Sequence, residues 1–320
     1  MPAISASAPG KVILCGEHAV VYGKAAIALP VREVNTRTIV TATPAGRAGE
    51  VLIIAPSIEL KSTIDHLDAH HPLALAVRLV QEELGISHLP ACEVRISTTI
   101  SIASGLGSSA SVTVSLLRAL SAFLGHPFPD ETVNRLAFEV EKVNHGTPSG
   151  IDNTVITFNA PIFYQKALPF EKLQIRHEFT LVIADSGSRG STVEMVGGVH
   201  QRWLEEKSRY ESLFNEIDIL VRRMYHLLQE GNIYSGGDLL NQNHRLLQEI
   251  GVSTSQLDGM VVTALSAGAL GAKLSGGGGG GNIIALVEPL QTEKVTLALK
   301  SAGASNIIQT TIPSSSGNKP

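Results

Sequence analysis

Apolar and polar positions along the 320 residues fall into short runs whose period changes along the chain. In CEVRIS (92–97) the apolar Cys92, Val94 and Ile96 alternate with charged neighbours, which predicts a half-buried strand. Strand-like runs at 11–15 (KVILC), 36–44 (TRTIVTATP) and 50–56 (EVLIIAP) predict three more. PLALAVRLVQEEL (72–84) has Pro72 at its start and Gly85 just past its end, the start and stop signals of a helix. A Gly/Ser turn at 104–109 leads into an apolar helix from Ser109 to Leu124. Asp130 precedes Val133, Leu136, Ala137 and Val140 at helical spacing, so it is the expected N-cap of a helix ending near Asn144.

After residue 176 the pattern shifts. A strand at 179–186 (FTLVIADS) precedes a long helical region from Ser191 to about Gly231, which holds the single Trp203. A further helix, 236–250, carries Leu239, Leu240, Asn243, Leu246, Leu247 and Ile250 on one face. Then come a helix at 255–268, a strand AKLS, six glycines (276–281), a strand NIIALVE, a helix at 290–303 and a strand NIIQTTI. Strands and helices interleave without a regular βαβ order, which predicts an α+β fold rather than a doubly wound sheet. The length suits two domains or one large one.

Composition narrows the function classes. There are 25 Lys+Arg against 29 Asp+Glu, a net charge of −4, without the basic excess of a nucleic-acid binder. Hydrophobic residues make up 43 % of the chain, enough for a real core and too many for a disordered one. The two cysteines, Cys15 and Cys92, lack a CxxC partner and point to a reducing, cytoplasmic setting. The start of the chain, MPAISASAPGKVILCG, does not read as a secretory signal. Residues 96–117 are uncharged but full of Ser, Thr and Gly, so they read as strand, loop and buried helix rather than a membrane span. No nucleic-acid or membrane partner is expected.

The strongest local chemistry is Ser104, Gly105, Leu106, Gly107, Ser108, Ser109 and Ala110, between a strand and a helix. The glycines let backbone approach a ligand, and the helix N-terminus suits a phosphate. The bland alternative is a turn built of small residues; no Lys follows to make a GxxxxGK[ST] loop. The six glycines are flanked closely by apolar strands, so they mark backbone packed against a ligand or another loop rather than a linker. By position alone Glu141 reads as a solvated acid, Asp152 as a loop–strand junction before TVITF, and Lys11 as a side chain snorkelling from a strand start. His66, His70 and His71 include a metal-ligand spacing, but nothing nearby completes a site, so they read as a polar helix edge or loop.

Four stretches occur together: PGKVILCGEHAVVYG, SGLGSSAS, NHGTPSGIDN and GAKLSGGGGGG, spanning residues 9 to 281. In content and order they resemble the motifs of the GHMP kinase superfamily, which includes galactokinase, homoserine kinase, mevalonate kinase and phosphomevalonate kinase. The first and third stretches, with RGSTVEMVGGV at 189–199, look most like mevalonate kinases. The resemblance implies a two-domain fold with the active site in the cleft between an N-terminal ribosomal-protein-S5-like domain (1–176) and a C-terminal ferredoxin-like domain (177–320). It implies ATP-dependent phosphorylation of the 5-hydroxyl of (R)-mevalonate, with Mg²⁺, in a cytoplasmic enzyme, with a homodimer among the expectations. Asp152 matches the catalytic base and Lys11 the lysine expected beside it, which lowers the pKa of the substrate hydroxyl. Ser109 and Glu141 match the Mg²⁺ ligands, and Ser104 to Ala110 the phosphate loop. Glu17, His18 and Thr192 match the mevalonate side, and Gly276, Gly277, Gly278 and Gly279 the supporting third motif. Other small-alcohol kinases of the superfamily, or an ATP-dependent diphosphomevalonate decarboxylase, are the alternatives. The chain departs from the family pattern at Ser101 and Ala103, where Pro and Gly are usual, and in motif three, which runs from Ser275 to Asn282 and ends in Asn rather than Cys.

Overall fold

The computed structural model describes residues 3–101, 104–146 and 148–315, so Ala103 and Thr147 lie outside the described residues. The first elements are β1 (Ala3–Cys15), β2 (Ala25–Ala42), β3 (Val51–Ala55), β4 (Leu60–Thr63), α1 (Pro72–Leu84) and β5 (Cys92–Thr98). Three helices follow, α2 (Ser108–Phe123), α3 (Asp130–His145) and α4 (Ile151–Phe158), then β6 (Ile162–Gln165), β7 (Glu171–Lys172) and β8 (Phe179–Asp185). The remainder is α5 (Thr192–Glu205), α6 (Lys207–Glu230), α7 (Gly237–Ile250), α8 (Ser255–Ser266), β9 (Gly271–Ser275), β10 (Asn282–Val287), α9 (Thr292–Ser301) and β11 (Asn306–Ile312).

The chain divides into two compact units, each gathered from separate stretches: 1–10, 34–101 and 107–159 in the first, 11–33, 102–106 and 160–320 in the second. In the first unit the strand order is β4-β3-β5-β2, with β3 and β5 parallel and the other pairs antiparallel. β5 behaves as its alternation predicts: Cys92, Val94 and Ile96 are buried, while Glu93 and Arg95 point outward and pair at 3.1 Å. α1 has the predicted ends, with His71 accepting the Leu73 N–H at 3.2 Å as its N-cap. His71 is thus a cap and His66 lies in a 3-10 turn, in keeping with the reading as a polar helix edge or loop. α2 is buried nearly all round, and two of its serines bond to distant strands: Ser111 donates to Ala8 O at 2.8 Å, and Ser115 lies 2.8 Å from Thr38 Oγ1. Among the described residues no helix is long and apolar enough to cross a membrane.

In the second unit the start of β2 pairs with β6, and β6 with β7. A separate antiparallel sheet has the order β11-β8-β10-β9. α7, α8 and α9 pack against this sheet, whose strands β9 and β10 are buried at every position.

Several elements differ from the sequence reading. β1 and β2 begin well before the predicted strands and run through Pro9 and Pro30, positions where the missing N–H is tolerated. The long helical region is two helices, interrupted at Glu206, whose φ of −126° and ψ of 50° leave the helical range. Asp130 is the first residue of α3, not its N-cap; that position is Pro129, and the Asp130 carboxylate pairs with Arg118 at 2.6 Å. Asp152 stands in the first turn of α4 rather than before a strand. The β-branched run TVITF suggests a strand, but its tertiary burial in a short helix overrides that propensity.

Candidate active site

The turn before α2 is built on two left-handed glycines. Gly105 and Gly107 have φ of +85° and +74°, and Gly107 is the N-cap, so no side chain caps α2. The N-terminus of α2, with the positive end of the helix dipole, suits an anion near Ser108, Ser109 and Ala110. Within the second unit the start of this turn is anchored twice. Leu106 O accepts the Lys11 N–H at 2.9 Å, and Ser104 O accepts from Asn282 Nδ2 at 2.5 Å. Asn282, which stands where the resembled motif usually has a cysteine, therefore ties the end of the glycine loop to the Ser104–Ala110 turn.

β9 and β10 pair from Ser275↔Asn282 onward and leave the six glycines as the connecting loop. That loop is packed, as its apolar flanks predict. Gly279 N donates to Val252 O at 2.8 Å, Gly281 N to Ser188 O at 2.9 Å, and Ser186 N to Gly281 O at 2.9 Å. A Cβ at Gly278, where φ is +80°, would sit 2.1 Å from Val252 O. A Cβ at Gly277 would meet Thr192 Oγ1 at 3.1 Å, which places Thr192 directly over the loop. Backbone and neighbouring side chains fill the space around the loop, which leaves no room for a Cβ at Gly278 or Gly280.

The end of β1 and the turn after it carry charge into the interior. Lys11 is 3 % exposed, which corrects its reading as a snorkelling side chain. Glu17 and His18 are equally buried. Glu17 Oε1 pairs with the fully buried Lys273 of β9, and Glu17 Oε2 has no hydrogen-bond partner among the described residues. Burial pushes the Glu17 carboxyl up, while the Lys273 ammonium pulls it back down. Burial likewise pushes the Cys15 thiol far up, so Cys15 is a core thiol rather than a nucleophile. His18 adopts φ +59° and ψ −50°, unusual for a residue with a side chain. Its Nε2 lies 2.9 Å from Gly277 O; a carbonyl only accepts, so Nε2 carries the hydrogen.

In the first unit the candidate residues sit on three helices that pack together: Ser109 at the start of α2, Glu141 on α3 and Asp152 on α4. Glu141 is only 2 % exposed, so it is not the solvated acid that its position off the apolar stripe suggests. Its Oε1 accepts from Asn144 Nδ2 at 3.2 Å. α4 is pinned to α3 beside Asp152, where the buried Asn153 donates through Nδ2 to Asn134 Oδ1 at 2.6 Å. An acid in the first turn is also favoured by the helix dipole.

Comparison with known proteins fits this arrangement. The family descriptions "GHMP kinases N terminal domain" and "GHMP kinases C terminal" match residues 71–160 and 224–305. A mevalonate kinase of Thermococcus sibiricus is 36 % identical over 325 residues, covering 95 % of each chain. The chain belongs to the GHMP kinase family. A solved mevalonate kinase of L. major, in complex with R-mevalonate, superposes with a TM-score of 0.81 at 32 % identity over 97 % of this chain and 96 % of that one. A Streptococcus pneumoniae phosphomevalonate kinase superposes with a TM-score of 0.83 at 17 % identity over 98 % of this chain and all of that one, a likeness of fold alone. The α+β, two-domain expectation for this GHMP kinase therefore holds.

Three polar residues of this GHMP kinase were missed by pattern reading. Lys273 is the single charge in an otherwise uncharged strand, and that isolation was the available signal. Asp185, 3 % exposed at the end of β8, accepts from Arg189 Nη1 at 2.7 Å and Gly187 N at 2.8 Å, holding the segment that packs on the glycine loop. His244 Nδ1 accepts the Leu274 N–H at 3.3 Å, which leaves Nε2–H to donate to Asp258 at 3.0 Å.

His18 makes stability depend on pH. Burial lowers its pKa from 6.5 to about 4, so between those values the unfolded chain binds a proton that the folded chain refuses. The stabilising effect of keeping His18 neutral is complete above pH 6.5 and is lost as pH falls toward 4. Denaturant unfolding of wild type and His18→Gln at pH 7 and pH 4 should show the wild type losing about 3 kcal/mol relative to the variant. A difference that does not change with pH would contradict a buried, neutral His18.

Proposed function

We propose that this GHMP kinase transfers the γ-phosphoryl group of ATP to the 5-hydroxyl of (R)-mevalonate, giving 5-phosphomevalonate and ADP. The observation that carries the reading is the relationship at 36 % identity over 95 % of the chain to a mevalonate kinase, and among superposed structures 32 % to a mevalonate kinase against 17 % to a phosphomevalonate kinase. In this reading the segment 1–176 supplies nucleotide binding and the base, and 177–320 the third motif and part of the acceptor side.

The roles follow from what phosphoryl transfer requires: positioned phosphates, compensated charge and an oriented nucleophile. The turn Ser104–Ala110 and the N-terminus of α2 hold the phosphates. The Asp152 carboxylate accepts the proton of the attacking hydroxyl as its oxygen bonds to phosphorus and the bond to the ADP oxygen breaks. Lys11 lowers the pKa of that hydroxyl. Glu17, His18 and Thr192 line the acceptor, and Gly276–Gly279 support the phosphate turn. Ser109 and Glu141 suit Mg²⁺, a hard cation usually bound through one or two carboxylates and the substrate's phosphates. A buried carboxylate on α3 fits that demand; the ion would neutralise charge on the phosphate oxygens. The reading also includes a cytoplasmic location, supported by two buried free thiols, and a homodimer, which a solution mass measurement tests.

The test is a coupled ADP-release assay with Mg-ATP on mevalonate, phosphomevalonate, homoserine and galactose in parallel. Turnover selective for mevalonate is expected. Turnover on another of these acceptors instead would keep the family and reject the substrate.

A further inference from the structure

Motif one and motif three are joined inside the second unit by a buried polar seam. Lys273 and Ser275 stand two residues apart on β9 and so share one side of the strand. Ser275 Oγ accepts the Ile13 N–H at 3.1 Å and donates to Ile13 O at 3.1 Å. Lys273 is 0 % exposed and donates to Glu17 Oε1 and, at 2.5 Å, to Leu274 O. For Glu17, Lys273 is the one side chain that hydrogen-bonds the carboxylate among the described residues.

That pairing bears on the next residue. His18 has a side chain at positive φ, a conformation that persists only where its surroundings over-determine it. Two constraints do so: the Glu17 carboxylate is held from β9, and His18 Nε2 is held by Gly277 O on the loop that β9 leads into. Both anchors of the Glu17–His18 elbow therefore belong to one stretch, 273–277. Without Lys273 the buried Glu17 carboxylate would lose its one side-chain hydrogen-bond donor and keep only its own backbone N–H and the more distant charge of Lys11, which favours taking up a proton or leaving the interior.

We propose that Lys273 is a positioning residue for the acceptor alcohol: through its buried pair with Glu17 it fixes the Glu17–His18 elbow against the glycine-rich loop. This rests on the reading that Glu17 and His18 line the acceptor. Lys273 acts through Glu17, so its effect falls on acceptor binding, spares the nucleotide and vanishes once Glu17 is neutral.

The test is a double-mutant cycle of Lys273→Met, Glu17→Gln and the pair, read in the KM for mevalonate, the KM for ATP and the unfolding midpoint. Lys273→Met should raise the KM for mevalonate at least tenfold and leave that for ATP within twofold. Added to Glu17→Gln, it should change the KM for mevalonate less than twofold. An unchanged KM for mevalonate, a parallel rise in both KM values, or two effects that simply multiply would overturn the proposal. Should Lys273→Met be folded but too unstable to assay, the unfolding midpoint decides, because neutralising the stranded Glu17 must rescue it. The double variant then melts above Lys273→Met; a double variant that melts no higher rejects the pairing. Wild-type turnover on mevalonate is measured first. Its absence would sink the functional reading, and the melting comparison alone would then decide the role of the pair.

Discussion

Asp152→Asn is expected to lower turnover by about 10²- to 10⁴-fold, the span typical of a lost general base. Asn keeps the size and hydrogen-bonding shape of the side chain, but its amide does not take the proton of an attacking hydroxyl. The fold should tolerate the change. Asp152 sits in the first turn of α4, where loss of a favourable charge–dipole interaction costs about 0.3–1 kcal/mol. The neighbouring Asn153–Asn134 hydrogen bond that pins α4 is untouched. Calorimetric titration with ATP should therefore show nearly unchanged nucleotide affinity beside the collapse in ADP release. Retained turnover would remove Asp152 from the role of base.

Glu141→Gln carries the second large effect. The carboxylate is buried on α3, and Gln preserves its volume and its capacity to accept from Asn144. What is lost is the negative charge that a hard divalent cation requires. The Mg²⁺ concentration for half-maximal activity should rise about ten- to a hundredfold, the scale seen when groups around a bound metal are removed. A magnesium titration that superposes on the wild type would show that Glu141 is not a ligand.

Much of the fold was legible because local rules and tertiary demands agreed. β5 alternates as a half-buried strand should, and α1 begins and ends on its Pro72 and Gly85 signals. Where the two disagreed, tertiary packing won. Pro9 and Pro30 lie inside β1 and β2, and the β-branched run after Asp152 is a buried helix. The candidate site was legible as motifs but not as environments. Spacing does not reveal that Lys11 and Glu141 are buried, since burial is set by elements far away in sequence. Lys273 is the clearest case. One lysine in an otherwise uncharged strand becomes meaningful only when β9 is seen to face Glu17, 256 positions earlier. Asn282 reads as a departure from motif three, yet its side chain supplies a bond to the Ser104–Ala110 turn.

The most direct test of the central claim is phosphorus NMR of the products formed from (R)-mevalonate and Mg-ATP by the purified protein. One new phosphomonoester resonance, coupled to the methylene protons at C5, should grow in step with ADP and without release of CO₂. ATP consumed without that resonance, or a phosphoryl group found on any other oxygen, would contradict transfer to the 5-hydroxyl.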